Sequence, residues 1–248
     1  MTVTGQNLDI IAGPCSAETE RQVLDTAKGL KEIGISVMRA GVWKARSRCD
    51  TFEGVGKRAL PWLKEVQLEY GMKVMTEVAL PSHVETALRA GIDILWIGAR
   101  TTVNPFMVSE LAEALQGVDI PLFVKNPICP DLTLWIGSVE RLMRKDIDRL
   151  ALIHRGFCLL DNTPYRNTPL WDLTDRMHNE FPGLPVYCDP SHIAGNKKLL
   201  GQLCQLAVDN HNNGLFIECH YRPETALSDA FQQVTPEELK KILDTLCL

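Results

Sequence analysis

Short apolar runs alternate with longer amphipathic stretches along the whole chain. The runs cover 8–12, 36–40, 73–78, 94–98, 122–125, 150–154, 186–189 and 215–219. Seven of them show no polar alternation, the pattern of strands covered on both faces, and 73–78 is more mixed. Between them, helical spacing of apolar residues predicts helices over 20–33, 59–70, 82–90, 108–116, 132–144, 170–181 and 197–210. A last helix over 236–246 has Thr235 placed to cap it, Pro236 in its first turn and Glu238 three residues after the cap. Eight strand–helix units of roughly 30 residues, ending in a helix, predict an α/β fold of the (β/α)8 TIM-barrel type, with residues 1–248 as a single catalytic domain. A doubly wound open sheet usually has fewer strands, and no G-x-G-x-x-G follows the first run.

Composition narrows the partners. The 248 residues include 45% hydrophobic and 23% charged positions, ordinary values that suffice for one core. A net charge of −5 argues against a general binder of nucleic acid or anionic membranes. Any anion site must therefore be a local concentration of Lys and Arg. The eight cysteines are scattered and contain no C-x-x-C pair. The first residues have neither a basic n-region nor a long apolar run, and no stretch is long and apolar enough to span a bilayer. A cytoplasmic protein with reduced thiols, acting on small molecules, is the expectation.

In such a barrel the functional face is where strands run out into βα loops, and every predicted exit carries a polar or reactive group. One set is cationic: Arg39, Lys44, Arg46, Arg100, Lys125 and Arg155, from four exits. Each alone reads as a surface or salt-bridge residue. Together at one mouth they would repel each other unless anions neutralise them. Guanidinium forks bind phosphate or carboxylate, so the implied substrate is small and multiply anionic, with room for more than one such molecule. The second set is Cys15, His192, Glu218 and Asp229, from the first, seventh and eighth strands, which become neighbours when a barrel closes. Thiol, imidazole and two carboxylates suit a Lewis-acidic transition metal such as Mn2+ or Fe2+. Taken singly, Cys15 reads as a small buried residue and His192 as a loop histidine. Cys188, Cys219 and His220 lie close by in sequence, but the two cysteines should point away from the residues beside them. Trp62, Trp135 and Trp171 read as helix-packing residues and His154 as structural, and neither a G-x-S-x-G elbow nor a P-loop is present.

Ala12-Gly-Pro-Cys-Ser16, Phe52-Glu-Gly-Val-Gly56, Thr76-Glu-Val78, Ile97-Gly-Ala-Arg-Thr101, Asp189-Pro-Ser-His192 and Ala226-Leu-Ser-Asp229 together resemble the 3-deoxy-D-arabino-heptulosonate 7-phosphate (DAHP) synthase family. This is the type I superfamily shared with KDO-8-phosphate synthase, and the resemblance runs from Ile11 to about Asp229. It implies a TIM barrel that condenses phosphoenolpyruvate with erythrose 4-phosphate at the entry to the shikimate pathway. By position, it implies one divalent metal (Mn2+, Fe2+, Co2+ or Zn2+) on Cys15, His192, Glu218 and Asp229. The phosphoenolpyruvate phosphate falls to Arg100 and Arg155, its carboxylate side to Arg39, Lys44 and Lys125, and the aldose phosphate to Arg46 and Ser47. Glu77 and Asp189 are implied near the reacting centre, with Lys44 as proton donor to the nascent alkoxide. A homodimer or homotetramer is implied as well.

Lys44-Ala-Arg-Ser47 departs from the family pattern, which usually reads Lys-Pro-Arg-Thr, and it lacks the Asn of the five-carbon-aldose enzymes. Thr76-Glu77 and Gly98-Ala-Arg100 favour the DAHP branch. KDO-8-phosphate synthesis from arabinose 5-phosphate is the alternative, followed by a Schiff-base aldolase on Lys125 or Lys44, or a non-catalytic barrel. No segment for a separate regulatory domain is visible, so feedback by aromatic amino acids is not expected from this chain alone.

Overall fold

A computed structural model describes residues 2–3, 6–46, 48, 50–160 and 162–247. Eight parallel strands close into a barrel: β1 (Asp9–Gly13), β2 (Val37–Arg39), β3 (Lys73–Val78), β4 (Ile94–Ile97), β5 (Leu122–Lys125), β6 (Leu150–His154), β7 (Val186–Cys188) and β8 (Gly214–Glu218). Consecutive strands pair in order, and β8 closes on β1 in a register that sets Gly214 opposite Asp9 and Glu218 opposite Gly13. The connecting helices are α1 (Glu20–Glu32), α2 (Leu60–Tyr70), α3 (Pro81–Arg89), α4 (Pro105–Leu115), α5 (Leu132–Met143), α6 (Trp171–Glu180), α7 (Leu200–Asp209) and α8 (Pro236–Asp244). Among the described residues no helix is long and apolar enough to cross a membrane.

Most observed boundaries fall within two residues of the expected ones. The first reason they shift is capping. Helix α4 begins three residues before the apolar pattern, because Asn104 accepts from the amides of Phe106 and Met107 and Pro105 fits the first turn. Helix α7 loses its first turn to the 3-10 segment Lys197–Leu199. At α8 the expected capping box is present in full: Thr235 accepts from the Glu238 amide, and Glu238 accepts from the Thr235 amide. A short hairpin, Thr2–Val3 with Gln6–Asn7, and two short helices at strand exits, Ala99–Thr102 and Pro190–Ala194, had no counterpart in the sequence pattern. Elements this short carry too few residues to show a period.

Strand parity divides the core in two. Ile11, Met75, Ile94, Trp96, Phe123, Ala151, Ile153, Tyr187 and Phe216 fill the barrel interior. The alternate strand positions, such as Met38, Val74, Leu95, Val124 and Leu152, point outward into the larger core beneath the helices. The same alternation carries Arg39, Glu77, Lys125, Asp189 and Glu218 to the inner side of the catalytic end, two residues above inward core positions. It sends His154 outward, where it packs 5.8 Å from the Phe157 ring and 4.9 Å from the Trp171 ring.

Candidate active site

The loops after β1 and β2 are stitched to each other and to β3 at the mouth. Ala17 donates to the Gly41 carbonyl and Gly41 to that of Cys15. Thr76 Oγ1 donates to the Ala40 carbonyl at 2.9 Å, and Gly56 donates to the Val42 carbonyl. These bonds hold the segment after β2 against the exits of β1 and β3. They aim Lys44 at the Cys15 segment, where its Nζ donates to the Cys15 carbonyl and to Cys15 Sγ, both at 3.1 Å.

A concave pocket opens beside this point, lined by Lys44, Arg46, Glu77, Arg100, Lys125, Arg155, His192 and Asp229, with Arg166 across from them. Gly98 forms part of its wall, and a Cβ there would collide with the Glu77 carboxylate where it now stands. Lys125 is buried and bonds Asp189 at 2.7 Å. Arg155 is buried too; its backbone amide bonds Asn126 Oδ1 and its Nη1 bonds Asn167 Oδ1 at 2.8 Å. Burial lowers the Arg155 pKa to about 10, with Arg166 and Arg100 pushing the same way against Asp189. It stays charged at neutral pH, and the pocket lining carries more Lys and Arg side chains than carboxylates.

Not every expected residue reaches this wall. Arg39 lies fully buried under the pocket, where its Nη1 donates to Glu218 Oε1 at 2.9 Å and its guanidinium stacks on Trp96 and Phe216 at 5.0 and 4.8 Å. Asp189 lies equally deep: it caps the short helix Pro190–Ala194, accepting from the His192 amide at 3.1 Å, and pairs with Lys125. Burial alone would raise the Asp189 carboxyl, but His192 and Lys125 hold it well below the usual range. Ser47 lies outside the described residues.

Cys15, Glu218 and Asp229 each place a ligand atom within 4.8 Å of the others. Cys15 Sγ donates to Asp229 Oδ2 at 3.1 Å. Burial drives the Cys15 thiol up to about 12, with Glu218 adding and Lys44 opposing. Glu218 is fully buried; burial would raise it, yet His192 and Arg39 keep it low. Asp229 adopts a left-handed backbone (φ 52°), which Asp tolerates better than most residues. His192 stands at the edge of this trio rather than within it. Its Nδ1 is 2.8 Å from Asp189 Oδ2, and its Nε2 is 3.8 Å from Glu218 Oε1. A carboxylate on Nδ1 favours the tautomer with its lone pair on Nε2, turned toward the trio, the arrangement typical of metal-binding histidines. A thiol set between two carboxylates is also a donor set that fits a divalent ion. Cys188 and Cys219 belong to the outer core, as their parity implied.

Several residues of the site carried no sequence signal. Arg166 donates to Asp229 Oδ1, Gln232 Nε2 donates to Glu218 Oε2, and Gln233 Oε1 accepts from the Cys15 amide. For Arg166 the available hint was length: the connection from β6 to α6 is long for a βα loop.

The comparisons agree with this geometry. Residues 1–247 match the model of the DAHP synthetase I family. The chain is 32% identical over 248 residues to a phospho-2-dehydro-3-deoxyheptonate aldolase of Thermotoga maritima, covering 96% of this chain and 70% of that one. It is 28% identical over 262 residues to a 2-dehydro-3-deoxyphosphooctonate aldolase of Polaromonas naphthalenivorans, covering 96% and 88%. The crystal structure of the Thermotoga maritima aldolase superposes with a TM-score of 0.86 at 30% identity, over 96% of this chain and 67% of that one. With the family model matching residues 1–247 on a closed eight-stranded barrel, the chain belongs to the DAHP synthetase I family.

Proposed function

We propose that this chain condenses phosphoenolpyruvate with D-erythrose 4-phosphate and water to give DAHP and inorganic phosphate, with a divalent metal on Cys15, His192, Glu218 and Asp229. The observation that carries the proposal is the junction at Lys44: one ammonium touches the thiol of the metal-type cluster while lining a pocket built for anions. Arg100 and Arg155 bind the phosphoenolpyruvate phosphate, and Lys125 its carboxylate. Arg46 and Ser47 hold the aldose phosphate. Arg39 acts from below, fixing Glu218 and supplying positive charge to the pocket floor.

Holding two anions in register is chiefly a proximity and electrostatic task. C3 of phosphoenolpyruvate attacks the aldehyde carbon, and the alkoxide that forms takes a proton from Lys44. Burial would lower the Lys44 pKa, but Cys15 and Glu77 outweigh it and raise it above that of an ordinary lysine. Water adds at C2 of the former phosphoenolpyruvate, and cleavage of the C–O bond to phosphorus-bearing oxygen releases phosphate and leaves the ketone. Glu77, facing the pocket beside Gly98, is positioned to take a proton from that water. A bound divalent ion supplies Lewis acidity toward the aldehyde oxygen.

The 2-dehydro-3-deoxyphosphooctonate aldolases among the relatives favour one second reading, condensation with arabinose 5-phosphate. A phosphoenolpyruvate-consumption assay with four- and five-carbon aldose phosphates, with and without chelator, separates the two. Turnover with erythrose 4-phosphate, lost on chelation and regained with Mn2+, is expected. Preference for the five-carbon sugar, or activity indifferent to chelator, would overturn the corresponding part.

A further inference from the structure

We propose that Arg166 is a positioning residue that selects which carboxylate oxygens of Asp229 and Glu218 face the centre of the metal cluster; this rests on the metal assignment above. A single guanidinium nitrogen, Nη1, donates to Asp229 Oδ1 and to Gln232 Oε1, both at 2.8 Å. Gln232 passes the restraint on, its Nε2 donating to Glu218 Oε2 at 2.7 Å. One oxygen of each carboxylate is thereby occupied from outside the cluster. The other oxygen of each is left facing inward. Asp229 Oδ2 meets Cys15 Sγ at 3.1 Å and lies 3.7 Å from Arg46 Nη1, while Glu218 Oε1 accepts from Arg39 Nη1 at 2.9 Å and lies 3.8 Å from His192 Nε2. The network therefore commits both acids to offering one oxygen each.

The arginine is itself held rigidly at its base. Its backbone amide and that of Asn167 both donate to the Ile193 carbonyl, at 2.9 and 3.2 Å, and Asn167 Nδ2 donates to the His192 carbonyl at 2.7 Å. Gly195, with φ 69°, lets this segment approach so closely that a Cβ there would strike the Arg166 side chain. The segment 166–167 thus touches the backbone at His192, the side chain of Asp229 and, through Gln232, that of Glu218. An exposed arginine pair is ordinarily worth little, but here the acceptors are largely withdrawn from solvent: the Asp229 side chain is 13% exposed and Gln232 is buried. Outer groups that orient metal ligands typically cost about 10–100-fold in metal affinity when removed.

The test is titration of metal-stripped protein with Co2+, reading affinity by competition with a chelating dye and site geometry by the thiolate-to-Co2+ absorption. Arg166→Met should bind Co2+ about 10–100-fold more weakly, with a shifted absorption. Arg166→Lys should recover part of the affinity, because it restores the charge, but not the wild-type spectrum, because an ammonium lacks the planar fork. Leu142→Ala, a destabilising core truncation near the C-terminal end of α5 and so at the opposite end of the barrel, should leave affinity and spectrum alone, which separates positioning from general loosening. Should Arg166→Met fail to fold, Gln232→Leu carries the same expectation for Glu218. Wild-type affinity and spectrum in folded Arg166 and Gln232 variants would overturn the inference. Wild-type protein that takes up no Co2+ would instead overturn the metal assignment, and the inference with it.

Discussion

Burial lowers the pKa of both Lys44, in the loop after β2, and His154, at the end of β6, and their neighbours decide the net direction of each. Lys44 faces Cys15, Glu77 and Glu218, so its charge is kept and its pKa rises. Replacing it with Met should reduce turnover by about 10²–10⁴-fold, the usual worth of a positioned proton donor. Steady-state kinetics on metal-loaded protein of verified metal content would check this. His154 faces aromatic rings, and burial, aided by Arg155, lowers its pKa to about 3. Unfolding restores a pKa near 6.5, so below that pH the unfolded chain binds the extra proton. The native state therefore loses stability as pH falls from about 6.5 toward 3, by up to about 1.4 kcal/mol per unit for this one group. Urea unfolding at pH 7 and pH 5.5 should show that His154→Phe has a shallower acid slope than the wild type. That His154 is structural was legible from its place before Arg155. That it points away from the pocket followed only once the parity of β6 was set.

Elements were legible wherever a local period or cap was strong. The box at Thr235 is an example, since all its partners lie within four residues. Thr235→Ala removes one of its two bonds and should cost about 1 kcal/mol in urea denaturation, with turnover unchanged. The start of α4 was missed because Asn104 and Pro105 lengthen the helix beyond its apolar stripe. The helix Pro190–Ala194 was missed for a different reason. It is a five-residue turn that Asp189 caps, and its stability comes from packing on α7 and β8 rather than from its own sequence.

At the scale of the whole molecule, the barrel interior is the support for the site. Trp96 and Phe216 meet edge to face at 5.4 Å, and both lie against the Arg39 guanidinium that holds Glu218. Trp96→Ala should cost about 3–5 kcal/mol in stability as a buried large-to-small change, measured by thermal or urea unfolding. The same cavity would free Arg39 to shift, so metal affinity should weaken as well.

By itself the sequence determined the succession of eight strand–helix units, the catalytic end of the barrel and the residue types gathered there, because apolar runs, helical periods and caps are local properties. The tertiary structure decided depth and partnership. Arg39 and Asp189 were expected at the pocket and lie beneath it, each tied to an opposite charge. Cys15 meets Asp229 across 214 residues and Arg166 meets Asp229 across 63. Contacts of that span depend on barrel closure and on how a long loop folds back, and neither leaves a periodic trace in the chain.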